Sequence, residues 1–459
     1  MSKHRDRFIP NSIDFSKISI KGTLSELEKR IQDLEKESKV FFPPNSVKTI
    51  DSINRKKTDT SFYTGTGGLI YLYWRQFLHY KTAESLNNFK VAIETNLSII
   101  NQTGREKSSN SFFEGNAGIF TLGCVCSLYT NNKKEFDAYF NELMNLRDIS
   151  YGKTCELEIL YGCAGYLYSL LLLKKEVVTS KTQLVSMEQL IILDDEIKNL
   201  SLHLIKSGRI HQQKYSWEHS LLFPFSVQDN YPSFYLGAAH GLIGVLYLIL
   251  CTIKFFPDFC QRYSDNVLDI RQTLFANLKY IQSLQLSSTG NFPSHVAGDD
   301  GAQTVQFCHG AVGAVHLFIL AKEIFGDFSF GKTALGCAKC LWERGILLKG
   351  NGVCHGMSGV TYGLIKLYKY TKDESLLLKA LGILRCTWDP KIREIVSKVK
   401  DPQRYTIGLP DRPYSLMEGE AGDLCLCYDL HRYISDVIVN KIDDDKDNLI
   451  VVFPGYEIF

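Results

Sequence analysis

Neither sign of charge prevails in this sequence: 52 basic side chains face 50 acidic ones, a formal net charge of +2. A broad cationic field is thereby excluded, and neither nucleic-acid tracking nor an electrostatic hold on anionic membrane is predicted. The opening Met1-Ser-Lys-His-Arg-Asp-Arg7 runs into no apolar stretch, residue 2 is not glycine, and Gly455-Tyr-Glu-Ile-Phe459 holds no cysteine. The expectation is a chain without secretory leader or lipid anchor. Thirteen cysteines, an odd number scattered from Cys124 to Cys427, fit free thiols in a reducing cytoplasm.

Long uncharged runs are also scarce. The exception is residues 234–253, about twenty positions without Asp, Glu, Lys or Arg, long enough on paper for a membrane span. His240 and the turn-forming Gly237-Ala-Ala-His-Gly241 inside it favour a tight turn feeding a buried helix. No transmembrane span is expected, and peripheral association is the one membrane contact that the sequence admits.

Hydrophobic residues make up 45% of the chain and aromatic residues 12%, enough for a sizeable core. Glycine recurs in a short signature, each time ahead of an apolar run. The copies are Gly65-Thr-Gly-Gly68, Glu114-Gly-Asn-Ala-Gly118, Tyr161-Gly-Cys-Ala-Gly165, Ala239-His-Gly-Leu-Ile-Gly244, Cys308-His-Gly-Ala-Val-Gly313, Cys354-His-Gly-Met-Ser-Gly359 and Glu418-Gly-Glu-Ala-Gly422. Apolar residues such as Leu69, Ile70, Leu72 and Trp74 follow at the spacing of a helix buried on most sides. Between copies there is room for an outer, amphipathic helix, such as residues 84–99 or 376–387. Each repeat can bury its faces only against its neighbours, so a closed ring is the economical arrangement. The predicted fold is all-α, an α/α toroid of inner and outer helices with the glycine signatures converging on one end; an open solenoid is the alternative.

Residues 1–55 read as an N-terminal extension and 56–459 as a single barrel domain. Within the extension, Thr23 and Glu26 make a capping box, and Leu24, Leu27, Ile31 and Leu34 form one apolar face of a packing helix. The charge run Asp443–Asp447 reads as a solvated loop.

Two signatures carry Cys-His-Gly, at Cys308-His309-Gly310 and Cys354-His355-Gly356. Thiolate and imidazole are the usual zinc donors, and corresponding points of neighbouring repeats would face each other across a ring. Cys308, Cys354 and His355 are the metal-ligand candidates. From residue types alone, a closed structural site that includes His309 and an open catalytic site of three ligands are both admissible. Cys337-Ala-Lys-Cys340 has redox-motif spacing but sits in a helical stretch with no histidine close by, and reads as structural.

These signatures, with Tyr235-Leu-Gly-Ala-Ala-His-Gly241, Pro413-Tyr-Ser-Leu-Met-Glu-Gly419, Arg7-Phe-Ile-Pro-Asn11 and Phe453-Pro-Gly-Tyr-Glu-Ile-Phe459, resemble the eukaryotic LanC-like proteins, relatives of the lanthionine synthetase cyclases. The resemblance covers almost the whole chain. It implies seven inner and seven outer helices and a catalytic zinc held by Cys308, Cys354 and His355, with the fourth position open. It further implies a catalytic histidine at His240, with His309 as a second candidate for stabilising charge. The activity implied is addition of a thiol, glutathione above all, to dehydroalanine and dehydrobutyrine residues of proteins or peptides. Lys349 and Arg7 match the family's cations for the glutathione carboxylates, and Asp411 and Arg412 lie in the adjoining motif. Three positions depart from the pattern: Phe307 stands for a tryptophan, Glu158 for an aspartate of the bacterial cyclases, and Gly408 for an arginine. A non-catalytic adaptor that binds zinc and glutathione, and a seven-span receptor, are the rival readings.

Overall fold

Apolar runs that begin at a glycine turn call for helices that can be buried on every side, and the computed structural model has a helix behind each signature. It describes residues 7–41, 59–103, 110–152, 154–180, 183–223, 233–265, 268–296, 304–398, 412, 414–442 and 451–459. The principal helices are α1 (Ile20–Phe41), α2 (Gly67–Tyr80), α3 (Ala83–Thr103), α4 (Ala117–Thr130), α5 (Lys133–Met144), α6 (Cys163–Ser180), α7 (Met187–Lys214), α8 (Leu242–Phe255), α9 (Ile270–Ser283), α10 (Ala311–Phe325), α11 (Phe328–Arg344), α12 (Met357–Thr371), α13 (Glu374–Cys386) and α14 (Glu420–Tyr433). The even-numbered helices are the inner ones. Each packs on the next, and α14 packs back on α2, so the ring closes as the α/α toroid expected.

Inner and outer helices differ as their sequences dictate. Every residue of α8 from Leu242 to Ile253 is buried, whereas α5 buries only Phe136, Phe140 and Leu143, at three-four spacing. The helical part of the long uncharged run is short, since α8 has 14 residues. At about 1.5 Å per residue it falls well short of a bilayer. Among the described residues no helix is long and apolar enough to cross a membrane. Three of the hairpins that join inner to outer helices share one device. A left-handed residue ends the inner helix (Asn131, Gly326, Lys372), and the next residue (Asn132, Asp327, Asp373) caps the outer helix through its side chain.

The seventh outer place is taken from the other end of the chain. After α14 comes a short turn, Ile434–Val439, and α1 lies along α14, with Leu27, Ile31 and Leu34 buried and Arg30 paired to Asp423 at 3.2 Å. The expected capping box at Thr23 does not form. The helix starts three residues earlier, with the Ser19 hydroxyl accepting from Gly22 N–H, and Thr23 is buried in the first turn, its hydroxyl donating to the Ser19 carbonyl. Glu26 instead forms a two-pronged pair with Arg385 on α13. The Asp443–Asp447 run lies outside the described residues.

The signature turns are stitched together by hydrogen bonds between neighbouring repeats. Phe307 N–H donates to the Cys354 carbonyl, Cys354 to Met417, Met417 to Tyr63, Phe62 to Phe113, and Phe112 to Gly165. Below them, residues 453–459 descend through the lumen. Phe453 packs on Phe307 with ring centroids 4.4 Å apart, and at the far end Phe459 packs on Phe255 at 4.7 Å. Glu457, nearly fully buried, pairs with Lys366 and accepts from the Phe453 N–H at 3.0 Å, while His316 lies 3.5 Å away. Lys175 donates to the Ile458 carbonyl. Burial would raise the Glu457 pKa, but Lys366 and His316 together hold it well below the usual carboxylate range. Its contribution to stability is therefore present above the unfolded-state value and is lost as pH falls through the depressed one. Removing one partner of a buried pair strands the other. Glu457→Ala is expected to lower the unfolding free energy at neutral pH by about 3–5 kcal/mol in urea titrations, and a loss below about 1 kcal/mol would contradict this anchoring.

Candidate metal centre and its imidazole wall

Three side chains from two turns meet at the signature end of the ring. The ligand atoms of Cys308, Cys354 and His355 all lie within 4.8 Å of one another, the one such His, Cys, Asp or Glu group of three among the described residues. Cys354 is fully buried and Cys308 partly so. The turns are held face to face by Phe307 N–H and Cys308 N–H, which both donate to the Cys354 carbonyl at 2.9 and 3.4 Å. Gly310 makes the sharp exit into α10 at φ +115°, in the region that a side chain disfavours. From the adjacent repeat Gly237 presses on the Cys308 carbonyl so closely that a Cβ there would stand 1.7 Å from its oxygen.

The thiol pair is electrostatically uneven. The Cys354 thiol and the His355 ring hold Cys308 well below the ordinary thiol range against the cost of burial, whereas burial and the Cys308 sulfur push Cys354 up. Two sulfurs and one imidazole nitrogen drawn together suit a soft-to-borderline cation. Glu418 reaches to 3.9 Å from His355 Nε2, and Tyr63 hydrogen-bonds Cys354. Both belong to the signature turns, yet neither was singled out from the sequence, because glycine turns carry no sign of which flanking side chain points inward.

Beside the thiols stands a wall of rings. His240 lies 6.0 Å from His309 and 6.2 Å from Tyr235, centroid to centroid; Tyr235 lies 5.0 Å from His309 and 4.6 Å from His295. Tyr161 lies near-parallel to His240, at 16° and 6.1 Å. His240 Nδ1 is 2.8 Å from Glu158 Oε2, and the buried Glu158 also accepts from the backbone N–H groups of Leu160 and Tyr161. With Nδ1–H donating to the carboxylate, the imidazole's exchangeable protonation is at Nε2. Burial alone would lower the His240 pKa, but the hydrogen bond and charge of Glu158 outweigh it, and the net shift is upward. Glu158, marked from the sequence only as a departure, is thus the group that orients His240. His295 was missed, since nothing near it in sequence resembles a signature.

The remaining candidates fall as follows. The strands β1 (Phe8–Ile9) and β2 (Ile346–Leu347) pair antiparallel with Phe8 opposite Leu347, and Leu348 N–H donates to the Arg7 carbonyl at 3.0 Å. This two-stranded ribbon brings exposed Arg7 alongside exposed Lys349, 342 positions later in the chain, a few residues before Cys354. The Arg412 carbonyl accepts from both the Ser415 N–H and hydroxyl, which starts the turn into Glu418. Asp411 and Gly408 lie outside the described residues. Phe307 fills the place of the expected tryptophan against Phe453 and Tyr456. Cys337 and Cys340 are buried in α11 as free thiols raised by burial, which is a packing role.

Residues 56–440 match the family described as lanthionine synthetase C-like protein. The chain belongs to the lanthionine synthetase C-like family. Among curated members it is 29% identical over 308 residues to glutathione S-transferase LANCL1 of Danio rerio, spanning 66% of this chain and 68% of that one. LanC-like protein GCL1 of Arabidopsis thaliana is 26% identical over 412 residues, 87% of this chain and 82% of that one. Among solved structures, nisin cyclase superimposes with a TM-score of 0.56 and 14% identity, over 92% of this chain and 99% of that one. At that identity the likeness concerns the fold, the α/α barrel of this family.

The Glu158–His240 pair is open to direct test. Glu158→Gln keeps a hydrogen-bond acceptor but loses the charge, and the His240 pKa, followed through its ring resonances by NMR titration, is expected to fall. An unchanged value would show that Glu158 does not set the protonation of His240.

Proposed function

We propose that this protein catalyses zinc-dependent addition of a thiol, glutathione in the first place, to dehydroalanine or dehydrobutyrine residues of peptides or proteins, giving thioethers. The observation that carries the reading is the convergence of two thiols and an imidazole beside a carboxylate-oriented histidine. Family membership, and relatives named as a glutathione S-transferase and a cyclase, support the reaction class.

Cys308, Cys354 and His355 would hold the metal. Zinc held there would neutralise the two thiolates and would lower the pKa of a bound thiol, so that thiolate would be present at neutral pH. The thiolate attacks the β-carbon of the dehydroamino acid; the C–S bond forms as the π pair shifts toward the amide carbonyl. A proton must then reach the α-carbon. His240, protonated at Nε2 and braced by Glu158 at Nδ1, donates it, which balances the proton lost by the thiol. His309, on the same wall, is suited to stabilising the enolate oxygen. Arg7 and Lys349, joined by the ribbon, are assigned to the carboxylates of glutathione, with Arg412 in the role of a third cation and Asp411 as a contact to the peptide's amino group. The barrel domain of residues 56–459, completed by α1 and by Arg7 of the N-terminal extension, is the catalytic unit, and the cytoplasm, where glutathione is reduced, is its compartment.

The roles separate in two variants. His240→Ala is expected to retain bound zinc and lose at least about a hundredfold in turnover, the usual size of a general-acid contribution. Cys354→Ala is expected to lose zinc and turnover together, as read by metal analysis beside product formation. Full activity in either variant would remove the assignment.

A further inference from the structure

Tyr161 is held out of the core by a turn that has no freedom to release it. Its neighbours Ile159, Leu160 and Cys163 are buried, while Tyr161 is 43% exposed. The turn is locked from both sides. Glu158 accepts from the N–H groups of Leu160 and Tyr161, the Gly162 N–H donates back to the Glu158 carbonyl at 3.2 Å, and a Cβ on Gly162 would stand 2.1 Å from the Glu156 carbonyl oxygen. One short segment therefore does two things at once. It aims Glu158 inward at His240 Nδ1 and stands the phenol ring outward, near-parallel to the same imidazole at 16° and 6.1 Å.

At the rim of a site an exposed aromatic ring offers a flat apolar face to a ligand. The acceptor in the proposed reaction has a matching shape. A dehydroamino residue is planar, because its carbon–carbon double bond is conjugated with the amide, and its α-carbon must lie at His240 Nε2 while its β-carbon faces the sulfur. A ring near-parallel to the imidazole adds an aromatic face of the same orientation against which such a plane can lie. A saturated residue, tetrahedral at its α-carbon, cannot lie flat there.

Resting on the function proposed above, we infer that Tyr161 is an acceptor-positioning residue whose ring stacks on the planar dehydroamino unit and gives the site its preference for unsaturated over saturated residues. The phenol hydroxyl takes no part, so phenylalanine would serve as well.

The test is direct binding of two short peptides that differ only in dehydroalanine against alanine, measured by fluorescence anisotropy on the zinc-loaded full-length protein. Wild type should bind the unsaturated peptide more tightly. In Tyr161→Ala that preference should fall by about three- to tenfold, the worth of one aromatic contact; in Tyr161→Phe it should persist. Bound zinc and the KM for glutathione should be unchanged in both, which separates this role from a general loss of structure. No preference in wild type, an equal preference in Tyr161→Ala, or loss in Tyr161→Phe as complete as in Tyr161→Ala would each overturn the inference. The binding comparison needs no turnover. A wild type that discriminates between the peptides yet forms no thioether would defeat the proposed reaction and leave Tyr161 standing as a recognition residue.

Discussion

The close approach of neighbouring signature turns is the constraint from which the rest of the structure follows. Where Gly237 meets the Cys308 carbonyl no side chain intervenes, and at Gly165 the backbone carbonyl accepts directly from the Phe112 N–H of the neighbouring turn. A side chain at Gly237 would force the Cys308 turn away, because the atom in its path is backbone and cannot rotate aside. The girdle so formed ties neighbouring turns together at the signature end of the ring. It also sets each inner helix at a fixed height, so that the residues opening each helix all face one small space. The metal candidates meet for this reason, and so do the rings beside them.

Charge is distributed to match. The lumen below the girdle is filled by the segment 453–459, whose Glu457 pairs with Lys366 and lies 3.5 Å from His316. The same segment backs the site, since Phe453 and Tyr456 pack beneath Phe307, the residue before Cys308. In the wall the buried carboxylate of Glu158 is committed to His240 and two backbone donors. Chemistry at the open end is thus insulated from the ionic anchor in the lumen by a layer of aromatic rings.

Much of this was legible in the residues, and the remainder was hidden for definite reasons. Helix starts at all seven signatures, the ring and the pairing of the two Cys-His-Gly elements could be read because each is local or repeated: glycine marks the turn, and apolar runs mark the inner helix. The outer place of α1 could not, because it is joined to α14 only by tertiary contacts such as Arg30 with Asp423, 393 positions apart. Thr23 misled as a cap because burial against the barrel moved the helix start back to the turn after Ser19. Arg7 and Lys349 were paired by resemblance; the physical link is a two-residue ribbon too short to stand out in the sequence. Tyr63, Tyr161 and His295 went unnoticed because the direction in which a turn residue points depends on the neighbouring repeat.

The most direct measurement is the mass of a dehydroalanine-containing peptide incubated with glutathione and purified protein, first as isolated, then after a chelator has removed the metal, then after zinc is restored. The account predicts a mass increase of one glutathione in the first and third samples and none in the second. An adduct that forms equally well in the stripped protein, or none from protein shown to carry zinc, would contradict it.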